Sequence, residues 1–171
     1  MDRKEKGFSL IELLIVVAII LIIAAIAIPN LLRSRMAANE SSAVGSLRTL
    51  HTAQSAYSSM YGIGYALTKV ALGPGGALNS CANANLIDNV LASGTKSGYT
   101  FPAFATLPNG DPAANVPAGC VDGAASWSEN ANPVLCDGTG HRTFFTDNSG
   151  IIRFNPSAGC AAATAASLPI E

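Results

Sequence analysis

A charged leader, Arg3 to Gly7, runs directly into an apolar stretch, Phe8 to Ile28, whose only polar side chains are Ser9 and Glu12. No other feature limits the fold of this chain as strongly. At ~1.5 Å per residue a helix over that stretch covers about 31 Å, enough to cross the hydrocarbon core of a bilayer. In lipid the backbone must satisfy its own hydrogen bonds, so a helix is expected despite the many β-branched residues. Arg3, Lys4 and Lys6 precede it, and the positive-inside rule keeps them cytoplasmic, so that residues 34 onward are exported. A cleaved secretory signal is the competing reading, with Ala24, Ala25 and Ala27 as its small-residue site. The length of the apolar run and the helical pattern that continues beyond it argue against that.

Glu12 is out of place in such a segment. A carboxylate costs roughly 2.5–3.5 kcal/mol at the bilayer centre and less near the interface. One reading puts it at headgroup level, solvated. The other gives it a cation: cleavage between Gly7 and Phe8 would create an α-amino group four residues away, and the amine of a neighbouring copy would neutralise it.

Lys6-Gly7-Phe8-Ser9-Leu10-Ile11-Glu12, followed by Leu13 to Ile28, Pro29 and Asn30, resembles the class III signal of type IV pilins and their pseudopilin relatives. The resemblance is strong over residues 1 to about 61 and general beyond. It implies that a prepilin peptidase cuts after Gly7 and methylates the amine of Phe8. It implies that Glu12 pairs with the N-terminal amine of an adjacent subunit, and that Pro29 is the family's helix-kinking proline. It also implies that the apolar helix first anchors the subunit in the inner membrane. With inner-membrane assembly machinery, the subunit then polymerises with copies of itself into an extracellular pilus or a periplasmic pseudopilus. The fold so implied is α+β: a long N-terminal helix packed on a small antiparallel sheet of three or four strands.

Past Pro29, where a kink or local melting is expected, the helical pattern resumes. Leu32, Met36, Val44, Leu47, Leu50, Gln54, Tyr57 and Tyr61 recur mostly at three- and four-residue steps, which is one face of a helix. Arg33, Arg35, Glu40, Ser41, Arg48 and Thr52 mostly fall on other faces, and Gly62 and Gly64 stop the helix. The expected organisation is leader 1–7, apolar helix 8–29, amphipathic helix 30–61, connecting loop 62–98 and β head 99–171. Gly73-Pro74-Gly75-Gly76 is a loop signal without the Lys-Ser/Thr of a phosphate cradle, and a short helix is expected near Leu86 to Ala92. Strands are expected at Tyr99–Phe101, Ala124–Asn130 and Arg142–Thr146. The turn Asp147-Asn148-Ser149-Gly150 makes a hairpin with Ile151–Phe154. Ala161 to Glu171 has no period and is read as loose or lying on the head.

The head is light in large apolar residues, so covalent support is expected. Cys81, Cys120, Cys136 and Cys160 all follow the apolar segment, which in an exported domain suggests two disulfides. Three pairings are open; the one favoured joins Cys120 to Cys136 and Cys81 to Cys160.

Chemistry is otherwise sparse. Net charge is -1 and charged residues are 12% of the chain, so nothing indicates a nucleic-acid partner. His51 and His141 read as structural or solvated rather than metal-binding. Asp137, Asp147 and Asn148 offer oxygens to calcium, but no bidentate acid lies nearby and the turn explains them. No metal, cofactor or catalytic motif is indicated. Asn39-Glu40-Ser41 matches an N-glycosylation acceptor but falls inside a helix, so chance is the better account. Arg33 and Arg35 read as solvated charge. Tyr57 and Tyr61 read as core packing rather than a conduction path. The leading expectation is a structural pilus subunit, not an enzyme. A type II secretion pseudopilin and a membrane-anchored domain that never assembles are the alternatives.

Overall fold

A computed structural model describes residues 7–75, 80–108, 116, 120–156 and 159–170. The leader before Gly7, Gly76 of the loop signal and Glu171 lie outside the described residues. The chain divides into two compact units, Met1–Arg35 and Met36–Glu171.

One helix, α1 (Leu10–Tyr61), enters both. In the first unit every large apolar side chain from Phe8 to Leu32 is exposed. The helix is unbroken through Pro29, so the local melting expected there does not occur. A proline removes one backbone donor, and the flanking turns carry the helix past it.

In the second unit α1 buries Met36, Ala43, Leu47, Leu50, Ala53, Gln54 and Tyr57, close to the expected face. Leu32 is exposed and lies in the first unit, whereas Glu40, placed on another face by its charge, is buried. Gly62 ends the helix at φ +69°, the left-handed cap that glycine adopts at no steric cost. Gly64 follows at φ +92°; a Cβ there would stand 2.5 Å from the carbonyl oxygen of Ala124. That close approach lets Tyr65 bridge to Ala124 through two 2.8 Å hydrogen bonds.

The connection carries two one-turn helices. Thr68 caps α2 (Lys69–Leu72) and Asp88 caps α3 (Asn89–Ala92), each accepting a backbone N–H from three residues on. Of the two, only α3 was expected.

Among the described residues seven antiparallel strands form the sheet, rather than three or four. They are β1 (Thr95–Lys96), β2 (Tyr99–Thr100), β3 (Ala105–Pro108), β4 (Ala124–Pro133), β5 (Thr143–Asp147), β6 (Arg153–Asn155) and β7 (Leu168–Pro169). Their order is β1-β2-β4-β5-β6-β7, with β3 also paired to β4. The three unforeseen strands, β1, β3 and β7, are edge pieces of two to four residues. β7 lies in the segment read as aperiodic. A register shift between Leu107 and Pro108, opposite Ala125, explains why β4 alternates only weakly in sequence: its inward residues are Ala124, then Trp127, Glu129 and Ala131.

Trp127 stands at the centre of the core, edge-on to Phe104 and Tyr65 and beside the His51 ring. Tyr99 packs on Phe144 nearby.

The disulfides are Cys81–Cys120 and Cys136–Cys160, with Cα separations of 5.5 and 5.8 Å. The favoured pairing is therefore wrong, and β4 supplies the reason. Cys120 precedes that strand and Cys136 follows it, and at ~3.3 Å per residue its ten residues hold the two cysteines about 30 Å apart. Each cysteine instead bonds to the chain that arrives at its own end of the sheet.

Candidate functional site

The motif residues sit at the open end of α1. Gly7, Phe8 and Ser9 are non-helical, and Phe8 is exposed. Ser9 is the first residue whose carbonyl enters the helix, accepting from the N–H groups of Glu12 and Leu13 at 3.1 and 3.3 Å. Its own N–H donates to the Glu12 carboxylate at 2.9 Å. Ser9-Leu10-Ile11-Glu12 thus forms half of a capping box, in which the third helical residue reaches back to the cap. A carboxylate there also meets the positive end of the helix dipole. The sequence reading weighed Glu12 only as a solvated charge or as a pair to another copy. The Ser-x-x-Glu spacing that signals a cap was legible and was missed. Pro29 lies well inside the helix, exposed.

The stretch from Phe8 to Leu32 presents apolar residues on all sides, and α1 is long and apolar enough at this end to cross a membrane. Exposed apolar patches on soluble monomers run to a few hundred Å². A helix bare all round must be covered by lipid or by protein.

The second unit is held together by a few polar ties. Glu40 is buried on α1 and accepts from the N–H groups of His141 and Arg142 at 2.9 and 3.1 Å and from Arg142 Nε at 2.7 Å. Burial alone would push its carboxyl up; the three hydrogen bonds and the Arg142 charge outweigh that and hold it below its usual value. Lys69 and Glu129 form a buried ion pair at 3.0 Å, with the ammonium also donating to the Pro102 carbonyl and lying 4.6 Å from the Phe104 ring centre. Burial raises the Glu129 carboxyl to about 7, against the opposing pull of Lys69. Gln54 pairs with both backbone groups of Ala66 at 2.7 and 3.0 Å, and Tyr57 donates to the Cys81 carbonyl at 2.7 Å.

The other singled-out residues take ordinary places. His51 packs on Trp127. His141 contacts Asp137, four residues back, beside Cys136 and Cys160. Those two sulfurs are bonded to each other, which removes them as metal ligands. Asp147 accepts from Ser149 within its turn. Asn39 donates to the Thr139 carbonyl, as a packed helix residue does. Arg33 and Arg35 are exposed.

A long helix with an apolar leading segment, joined to a small antiparallel sheet, defines a pilin-like α+β architecture. Residues 2–28 match the prokaryotic N-terminal methylation motif. The chain is 48% identical over 56 residues to a type IV major pilin protein of Myxococcus xanthus, covering 33% of this chain and 26% of that protein. It is 66% identical over 38 residues to the type IV wide pilus major component of Thermus thermophilus, covering 22% of this chain and 29% of that protein. The matched parts thus span under a third of either relative. No solved structure matches the chain. In its N-terminal part the chain thus carries the methylation motif and is similar to type IV pilins.

Proposed function

We propose that the chain is the precursor of a major pilus subunit. Prepilin peptidase cuts it after Gly7 and methylates the new amine of Phe8. The apolar helix then holds the subunit in the inner membrane, N-terminus inward, until assembly machinery adds it to a filament. In the filament that helix packs against its copies, and Glu12 neutralises the amine of a neighbouring subunit, with Pro29 letting the helices adjust. The observation that carries this reading is the exposed apolar surface of residues 8–32 behind a methylation motif. Lipid covers such a surface in the monomer and other copies cover it in the polymer. The named relatives are pilus components, which favours a pilus over a secretion pseudopilus.

The capping bond sharpens the test. Glu12→Ala removes both the charge and the cap, whereas Glu12→Gln removes the charge and keeps an acceptor for the Ser9 N–H. Surface filaments would be counted by electron microscopy, with subunit insertion checked by blotting. Loss of filaments in both variants is expected. Filaments that survive Glu12→Gln but not Glu12→Ala would reduce Glu12 to a helix cap and sink the amine pair. Mass spectrometry of the mature chain is expected to find N-methyl-Phe8 as its first residue; a start near Pro29 would overturn the processing.

A further inference from the structure

On the outer side of α1 in the second unit, Ser41, Val44 and Arg48 follow one another at helical spacing and form one wall of a cleft of about 280 Å³. Arg142, Phe144 and Ile170 form the other. Arg142 is held rigidly. Its Nε and Nη2 both bond the buried Glu40 carboxylate, and its guanidinium stands 5.6 Å from the ring centres of Phe144 and Phe154. The third nitrogen, Nη1, has no partner among the described residues, and neither has the guanidinium of Arg48. Among the described residues the cleft therefore holds two cations against one carboxylate that is already fully engaged. A second hollow, of about 410 Å³, adjoins it through Arg142 and Ile170 and is walled by Phe154, Leu168 and Pro169.

We propose that this cleft is an oxyanion site, taking a carboxylate or phosphate group carried on a short apolar stem. A guanidinium is weakly hydrated and presents its donors in a fixed plane, which suits a planar or tetrahedral oxyanion. Glu40 fixes that plane in advance, so little side-chain entropy is lost on binding. The apolar hollow beyond receives the stem.

The test titrates the full chain, in nonionic detergent, with phenyl phosphate and with inorganic phosphate, by calorimetry. Arg48→Gln is the variant of choice, because Arg48 is exposed and its removal breaks no bond within the fold. Saturable binding of phenyl phosphate is expected, tighter than inorganic phosphate and weakened about tenfold by Arg48→Gln. Binding that ignores Arg48, or no saturable binding at all, overturns the site. Two sources of the oxyanion are then separated with assembled filaments. Phenyl phosphate that still binds intact filaments points to an anion from the medium. Filaments that exclude it, and that form poorly from Arg48→Gln subunits, point to an acidic side chain of a second copy.

Discussion

Glu40 and Arg142 meet across 102 residues of sequence, the carboxylate of the first accepting from the backbone N–H and the guanidinium of the second. The bond ties α1 to the start of β5. Glu40→Ala is expected to destabilise the second unit by about 2 kcal/mol, discounted for the half-exposed Arg142 side chain. Chemical denaturation followed by Trp127 fluorescence measures it; an unchanged midpoint would show the tie to be idle. The Glu40 carboxyl lies below its unfolded value, so its contribution is full above about pH 4.5 and fades as pH falls through the folded value.

Glu129 works in the opposite sense. Its folded value, about 7, lies above the usual 4.5, so the folded chain binds the extra proton between those limits. Stability therefore falls as pH rises through that window, by about 3 kcal/mol in all. Glu129→Gln should flatten this slope. An equally steep slope in the variant would place its origin elsewhere.

Each disulfide restrains a long loop, with sequence separations of 39 and 24 residues. Removing either as a Cys→Ser pair is expected to cost about 3–4 kcal/mol. Peptide mapping without reduction should recover Cys81 linked to Cys120 and Cys136 linked to Cys160. A peptide joining Cys120 to Cys136 would contradict the strand between them.

Leu47 and Leu21 lie on the same helix with opposite fates: Leu47 is 0% exposed and Leu21 is 63% exposed. Leu47→Ala should destabilise the second unit by about 2–5 kcal/mol. Leu21→Ala should leave its unfolding midpoint where it was and lower filament yield. A shift in midpoint for Leu21→Ala would show that its side chain is covered within the monomer.

Much of this protein was open to reading from one dimension. The apolar run, the methylation motif and the amphipathic face from Met36 to Tyr57 are local patterns, and periodicity and motif spacing report local patterns directly. Hairpin β5–β6 was legible because a polar turn joins two apolar runs. The edge strands β1, β3 and β7 were not, because two to four residues carry no period and are held by their neighbours. Glu40 and Glu129 were missed as buried groups for a related reason. A charge reads as exposed until its partner is known, and Arg142 and Lys69 lie far off in sequence.

The sequence by itself determined that one helix begins apolar on every side and must find lipid or other copies to cover it, since hydrophobicity and length are properties of a segment alone. Only the tertiary structure decided which cysteines meet and which carboxylates are buried. Those outcomes depend on where distant segments stand in space, and on geometry to within a few ångström.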